Sequence, residues 1–301
     1  MRQLQVQHDT QYEHEQAVEL AHHVAFLVPR ETAFQRVLRW RLEVDPLPDG
    51  WAAASWEANR HMSQDAWGNN RLVFSHSRVH KTLAVRSSFE VGLQARPEIR
   101  PSASPAWEDV AKMLRYRAGG NHTAAAEFCL PSPFAAPDAA LTAFGALAFP
   151  AGRSLAEGAL ALMNQIHREF RYEPAVTSVN TRASEALRLR RGVCQDFAQV
   201  MVAACRGLGL AARYVSGYLL THPPPGQPRL IGADASHAWA EVWCPQQGWL
   251  ALDPTNNVAV SLDHALLAWG RDQADVAPLR GVIRGGGQAL PAVAVTVTPQ
   301  D

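Results

Sequence analysis

The run from Gly192 to Gly209 constrains the fold of this chain more than any other stretch. A Gly-Val pair leads into a segment in which apolar residues recur at helical spacing, and Gly209 stands where a helix typically ends. We therefore predict an amphipathic helix that packs on a core and carries Cys194 in its first turn. The apolar face of this helix consists of Phe197, Met201, Ala204, Cys205 and Leu208.

The position of Cys194 favours a reactive thiol. A thiolate in the first turn of a helix faces unpaired backbone N–H groups and the positive end of the helix dipole, and both stabilise the anion. Cys205, in the middle of the same helix, gains nothing comparable. Cys194 is therefore the candidate nucleophile.

A nucleophilic thiol needs a base, and the base needs a group that orients it. Residues 237–243 alternate as a strand does, and His237 begins them. Residues 249–253 form a short apolar strand that ends at Asp253, just before a proline. If these strands are antiparallel neighbours, His237 and Asp253 lie side by side and reach the helix that carries Cys194. The order Cys, His, Asp then predicts a cysteine acyl-transfer triad.

Four ordered motifs carry a resemblance to a known family. At these residues the sequence resembles the transglutaminase-like superfamily, the papain-related enzymes that include animal transglutaminases and bacterial proteins thought to be cysteine proteases. The resemblance implies that Cys194 is the nucleophile, His237 the general base and Asp253 the orienting acid. The motifs are GVCQDFA (192–198), ARYVSGY (212–218), SHAWAEVW (236–243) and GWLALDPTN (248–256).

The first third of the chain carries the signals of strands. Several runs before residue 96 alternate in part between apolar and polar residues, and the Trp67-Gly68-Asn69 turn between two of them predicts a hairpin. A looser resemblance to the N-terminal β domain of bacterial family members rests on that turn, on His8 with Tyr12 and on Pro29-Arg30.

We therefore predict an α+β protein with two domains. Residues 1–100 form an antiparallel β-sandwich, and residues 101–301 form a papain/transglutaminase-like core in which the nucleophile helix packs on an antiparallel sheet. Three prolines between residues 97 and 105 mark the linker. Near the end of the second domain, residues 262–269 are predicted to be a short helix.

Four further residues are candidates for a substrate cleft. In the superfamily the chain just before the nucleophile helix lines the active site, which implicates Asn180 and Thr181. Tyr218, in a predicted strand, and Trp239, two residues after His237, are the other candidates. Each has a structural alternative: Asn180 suits a helix cap, and Tyr218 suits a half-buried strand position.

The overall charge excludes some partners. The 301 residues include 28 basic and 28 acidic side chains, so the formal net charge is zero and the pI is about 7.2. Neither nucleic acid nor an anionic membrane surface is expected as a general partner. The resemblance implies a peptide or protein substrate. Bacterial relatives often lie near genes for ATP-grasp and α-helical proteins, which suggests protein partners in a peptide-modifying pathway.

No metal or organic cofactor is expected. The four cysteines include no CxxC pair, so neither a zinc site nor a disulfide framework is predicted. The histidines of the first domain match no usual ligand spacing. Because the N-terminus is polar and no apolar run is long enough to span a bilayer, a cytoplasmic protein with reduced thiols is predicted.

Three functions fit these residues. The first is a cysteine hydrolase, a protease or amidase, in which water resolves a thioester on Cys194. The second is an amine-acceptor transglutaminase, and the third is a non-catalytic module that binds a peptide or protein. Water is the favoured acceptor, because Asp234 and Glu241 are too few to form an acidic groove that attracts a lysine. The upstream tryptophan that animal transglutaminases are thought to use also has no equivalent here.

Overall fold

Fourteen strands and five α-helices make up the part of the chain that the computed structural model describes, residues 1–51, 62–116, 118, 123–221 and 236–300. The strands are β1 (Arg2–Ala25), β2 (Gln35–Asp45), β3 (Met62–Gln64), β4 (Asn70–His76), β5 (His80–Leu93), β6 (Arg171–Tyr172), β7 (Arg191–Gly192), β8 (Ala212–Leu219), β9 (Ser236–Cys244), β10 (Gly248–Asp253), β11 (Val258–Ala259), β12 (His264–Gly270), β13 (Leu279–Gly285) and β14 (Ala292–Gln300). The helices are α1 (Trp107–Leu114), α2 (Ala139–Ala148), α3 (Leu155–Glu169), α4 (Ala183–Leu189) and α5 (Cys194–Gly207). None of these helices combines the length and hydropathy that a membrane span requires.

Strand β1 is the central strand of the larger sheet, which consists of β1–β5, β13 and β14. Leu4, Val6, His8 and Thr10 are buried on one face while their neighbours face outward, which is the two-residue period of a strand. One edge of β1 pairs with β5 and then β4, and the other edge pairs with β14 and then β13, all antiparallel. The C-terminal strands therefore belong to the sheet that the N-terminal strand begins. This sheet takes residues from both predicted domains, 1–100 and 101–301, because β1 offers two edges.

The smaller sheet forms the core that carries the candidate catalytic residues. Its strands run antiparallel in the order β11, β10, β9, β8, β12. Helix α5 packs on β9 and β8, where Phe197 and Met201 join Ala238 and Ala240 in one buried cluster. Gly209, with a φ of 77°, closes the helix as predicted, since the N–H of residue 210 bonds the carbonyl of Cys205. The predicted α+β class, with the helix that carries Cys194 packed on an antiparallel sheet, is thus confirmed.

The predicted helix over residues 262–269 is wrong, because this segment forms strand β12. Nearly every residue from His264 to Gly270 is buried, so the segment lacks the polar positions that distinguish a helical period from a strand period. The segment instead pairs antiparallel with the edge of β8. The local sequence could not show that this edge was open.

The predicted Trp67-Gly68-Asn69 turn is confirmed. Strands β3 and β4 form a hairpin around it, with Gln64 paired to Asn70, and Gly68 has a φ of 75°. Asn69 is fully buried, and its side chain reaches the smaller sheet.

Four histidines lie next to one another on the larger sheet. The rings of His76 and His80 are 5.0 Å apart, the rings of His23 and His76 are 5.7 Å apart, and His14 lies beyond His80. Burial, with added repulsion from the neighbouring rings, lowers the pKa of His23 to about 4. These histidines form no three-ligand metal set within the described residues.

This histidine group should make the fold sensitive to acid. Because the pKa of His23 falls from 6.5 to about 4 on folding, protonation favours the unfolded chain. The resulting stability is present above pH 6.5 and is lost as the pH falls toward 4. Denaturant unfolding at several pH values should show that wild type loses more free energy of unfolding across this range than His23→Gln does. Parallel pH dependences for the two proteins would contradict this assignment.

Candidate active site

The turn before helix α5 explains where Cys194 lies. The Asp196 carboxylate accepts a hydrogen bond from the Val193 N–H at 2.8 Å and another from the Thr177 hydroxyl at 2.7 Å. A Cβ on Gly192 would lie 2.3 Å from the same carboxylate, so this position requires glycine. Asp196 is therefore structural, and it fixes Cys194 as the first residue of the helix.

The start of α5 leaves backbone donors at the residue that carries the thiol. The first N–H that bonds within this turn is that of Asp196, which donates to the Val193 carbonyl at 2.9 Å. The N–H groups of Cys194 and Gln195 precede it and have no acceptor one turn earlier. These donors can stabilise negative charge on the sulfur or on an oxygen bound beside it.

The predicted pairing of the two strands brings His237 and Asp253 together. Strands β9 and β10 are antiparallel neighbours, and the His237 Nε2 atom lies 2.7 Å from the Asp253 Oδ2 atom. The Cys194 sulfur lies 3.9 Å from the carbonyl oxygen of Ser236, the residue before His237. The Cys194 side chain also interacts with His237 and helps to raise the pKa of its imidazole. The structure therefore brings the three predicted residues into one contiguous group.

Opposing effects set the protonation of this group. Burial alone would lower the pKa of His237, but hydrogen bonds and charge interactions with Asp253 and Cys194 outweigh it and raise the pKa to about 10. Burial would raise the pKa of Asp253, but hydrogen bonds from His237 and His264 hold it below its ordinary value. The arrangement therefore favours a protonated imidazole beside an ionised Asp253 carboxylate.

Asp253 is held by both of its oxygens. Its Oδ1 atom accepts hydrogen bonds from the backbone N–H groups of Thr255 at 3.0 Å and Asn256 at 3.3 Å. Its Oδ2 atom accepts from His237, from the Asn256 side chain at 2.7 Å and from His264 at 3.2 Å. The Asp-Pro-Thr-Asn motif thus forms a turn around its own carboxylate. Asn256 could have been recognised from that motif, whereas His264 had no sequence signal.

The tautomer of His264 is fixed by its surroundings. The Ser261 N–H donates to the His264 Nδ1 atom at 3.2 Å, so the proton of the neutral ring is on Nε2 and is directed at Asp253. The ligand atoms of His237, Asp253 and His264 lie within 4.8 Å of one another, a spacing that a metal ion could use. A protonated Nε2 cannot bind a metal, and hydrogen bonds account for the spacing. This donor set therefore fits an acid-base network rather than a metal centre.

The predicted cleft residues near the helix start have different environments. Asn180 is exposed in the turn before α4, and the neighbouring Val179 carbonyl accepts the Gln195 amide at 3.3 Å. Thr181 is buried, and its hydroxyl accepts the Ser178 N–H at 2.9 Å. Only Asn180 of this pair is open to solvent.

The two aromatic cleft candidates are fully buried. The Tyr218 hydroxyl is 2.9 Å from the Nδ1 atom of His8 on β1, in the cluster between the two sheets. Trp239 packs edge-to-face on His264, with ring centroids 5.5 Å apart. Neither side chain lines an open cleft, because the larger sheet and β12 cover the surfaces that sequence analysis left free.

Tyr172 lies beside Cys194 and was not a sequence candidate. Strands β6 and β7 pair in parallel, which sets Tyr172 opposite Gly192. The side chain is half-exposed, and burial, reinforced by the nearby Cys194, raises the pKa of its phenol. No local pattern announces this contact, since two-residue strands leave no periodicity.

Comparison with known proteins gives the family. The transglutaminase-like superfamily profile matches residues 148–254, and that of the bacterial transglutaminase-like N-terminal region matches residues 4–92. The chain belongs to the transglutaminase-like superfamily.

Some relatives match this chain over nearly its whole length, and others match it over a third or less. An uncharacterized Mycobacterium bovis protein is 40% identical over 286 residues, which cover 92% of this chain and 86% of that protein. A Pseudomonas aeruginosa protein-glutamine gamma-glutamyltransferase is 35% identical over 107 residues, which cover 33% of this chain and 16% of that protein.

A solved structure shares the fold across the whole chain. It is a Cytophaga hutchinsonii protein described as a proposed cysteine protease, with a TM-score of 0.71 and 19% identity. The match covers 100% of this chain and 91% of that one.

Cys194 should be the most reactive thiol. It is half-exposed and contacts His237, whereas burial raises the pKa of Cys129 to about 11 and that of Cys205 to about 12, and Cys244 is buried. Limited iodoacetamide, followed by peptide mass spectrometry, should label Cys194 roughly tenfold faster or more. Replacing His237 by Ala should slow only this labelling. Equal rates at all four thiols would contradict the site.

Proposed function

We propose that this chain is a cysteine-dependent acyl-transfer enzyme that hydrolyses peptide or carboxamide bonds, with Cys194, His237 and Asp253 as its catalytic triad. The contact of 2.7 Å between His237 and Asp253, formed beside a thiol at a helix start, is the observation that carries the proposal. Membership of the transglutaminase-like superfamily supports it.

The proposed reaction has two halves. The Cys194 thiolate attacks the substrate carbonyl, and the N–H of Cys194 donates to the oxyanion that forms. The C–N bond then breaks, and the His237 imidazolium gives its proton to the departing amine. In the second half His237 takes a proton from water, the resulting hydroxide adds to the thioester, and the acid product leaves the Cys194 sulfur. Asp253 holds the imidazole in the required orientation throughout.

Tyr172 is our candidate for the second oxyanion donor. It pairs with Gly192, two residues before the nucleophile, and its hydroxyl keeps its proton because burial and the nearby Cys194 raise its pKa. A phenol so placed can donate a hydrogen bond to an oxyanion bound at Cys194. It would take the part that a tryptophan is thought to play in animal transglutaminases.

Water is the proposed acyl acceptor. Cross-linking needs a group that holds an amine beside the thioester and excludes water. Glu241 is unsuited to that role, because it is fully buried and paired with Arg213 and with Arg96. Asp234, the other acidic candidate, lies outside the described residues.

The second candidate function is amine-acceptor transglutaminase activity. It is favoured by the P. aeruginosa relative, which is a protein-glutamine gamma-glutamyltransferase and matches this chain over 107 residues. The third hypothesis, a non-catalytic peptide- or protein-binding module, gives no reason for a buried carboxylate that orients a histidine beside a thiol. We further propose a peptide or protein substrate and a reducing compartment, the cytoplasm, with partners from a peptide-modifying pathway.

Substitutions in the triad should abolish turnover. Cys194→Ala and His237→Ala remove the nucleophile and the base, and Asp253→Asn should cost about a thousandfold because the imidazole loses its orienting anion. Mass spectrometry of a peptide library incubated with each protein, with and without a primary amine, measures both turnover and acceptor. Hydrolysed products should dominate even with the amine present. A predominance of amine-linked products would favour the transferase, and an active Cys194→Ala variant would exclude the mechanism.

The pH dependence of turnover should have an alkaline limit set by His237. Its raised pKa means that the proton needed by the leaving amine is available below about pH 10 and is lost above it. Because Asp253 helps to raise that pKa, Asp253→Asn should move the alkaline limb of kcat/KM to lower pH. An alkaline limb that stays in place would show that another group sets it.

A further inference from the structure

Strand β12 lies at the edge of the smaller sheet. Along its outer edge, side chains rather than another strand bond to its backbone. Its other edge pairs with β8, and this ladder is irregular between Leu266 and Ala268. On the outer edge the backbone of Leu266, which is buried, and of Trp269, which is partly buried, needs partners, since N–H and C=O groups shielded from water are costly when unpaired. Those partners come from the larger sheet and its loops.

Gln35 pairs with Leu266 as a strand residue would. Its side-chain carbonyl accepts the Leu266 N–H at 2.8 Å, and its amide donates to the Leu266 carbonyl at 2.7 Å. The same amide also donates to the Arg30 carbonyl at 2.9 Å, which fixes its orientation. Gln35 is 4% exposed, so water does not compete for these bonds.

Asn69 makes the same pair of bonds one step further along β12. Its side-chain carbonyl accepts the Trp269 N–H at 3.0 Å, and its amide donates to the Trp269 carbonyl at 2.7 Å. Asp65 and Arg30 hold the Asn69 side chain through hydrogen bonds of 2.7 Å each. The Arg30 guanidinium also stacks on the Trp269 ring, 3.3 Å from its centroid.

The residue that begins β12 contacts the catalytic acid. His264 donates from Nε2 to the same Asp253 oxygen that accepts from His237, and Ser261 fixes the tautomer. Within the described ranges, the titratable groups that face His237 are Cys194 from α5, Asp253 from β10 and His264 from β12. A shift of β12 would therefore move a hydrogen-bond donor of Asp253 directly.

We propose that His264 is a positioning residue of the active site and that the larger sheet, through Gln35 and Asn69, holds it against Asp253. The N-terminal half of the chain is then part of the catalytic arrangement, although it supplies no group to the reacting atoms. This inference rests on the proposed function, because it takes Asp253 as the orienting acid.

The test uses the charge of His237, which needs no substrate. Iodoacetate is an anion, so its reaction with the Cys194 thiolate is accelerated by a neighbouring imidazolium, whereas neutral iodoacetamide reports the thiolate alone. The ratio of the two rates should therefore fall as His237 loses its proton with rising pH. Peptide mass spectrometry assigns both rates to Cys194.

Two variants should lower the pH at which the rate ratio falls. His264→Leu removes the donor to Asp253, and Gln35→Met removes both bonds to Leu266 at similar length. Each should leave Asp253 less well aligned with His237, so the fall in the rate ratio should occur about one pH unit lower.

Two further variants are controls. His264→Gln has an amide that can occupy the place of Nε2–H, so its rate ratio should fall at the same pH as in wild type. Asn70→Ala should leave the pH at which the rate ratio falls unchanged. Asn70 lies in the same hairpin as Asn69, but its amide donates to the Pro29 carbonyl and does not reach β12.

The outcomes separate the two proposals. If the rate ratio falls at the wild-type pH or at a higher pH in folded His264→Leu and Gln35→Met, the positioning role would be overturned. If His264→Leu fails to fold, Gln35→Met decides. A chain that shows the expected shifts yet hydrolyses no peptide would refute the proposed function and leave the positioning role standing.

Discussion

A buried carboxylate with five hydrogen-bond donors is the interaction on which the proposed active site depends. Asp253 is 0% exposed and accepts bonds from two backbone N–H groups, two histidines and an asparagine. An ionised group can be buried in this way only when its lone pairs are satisfied. These donors come from three parts of the smaller sheet, so β9, the turn after β10 and β12 must all be in place before Asp253 can hold His237 in this orientation.

The arrangement of Cys194, His237 and Asp253 could be predicted from sequence because each of the three residues is fixed by local structure. Cys194 follows from a glycine that admits the Asp196 carboxylate and from the helix that this carboxylate caps. His237 and Asp253 follow from two short strands that pair as antiparallel neighbours, with a proline closing the second. The α+β class likewise follows from strand-like alternation in the first part of the chain and a helical period around the cysteine.

The remaining features depend on contacts between distant segments. His264 lies in an apolar run whose period is ambiguous, and only the open edge of β8 makes that run a strand. Tyr218 and Trp239 resemble cleft residues until the larger sheet and β12 bury them. The return of β13 and β14 to β1 depends on the second edge of a long N-terminal strand, which no local pattern reveals. Long-range pairing therefore decides what local patterning leaves open.

The central claim is that Cys194, His237 and Asp253 act as one electrostatic unit. The most direct measurement is an NMR titration of the His237 ring nitrogens in selectively ¹⁵N-histidine-labelled wild type and Cys194→Ala, assigned with His237→Ala. Our account predicts that His237 in wild type stays protonated far above its ordinary pKa of 6.5, toward about 10, and that its pKa falls when the thiol is removed. A His237 that titrates near 6.5 in both proteins would contradict it.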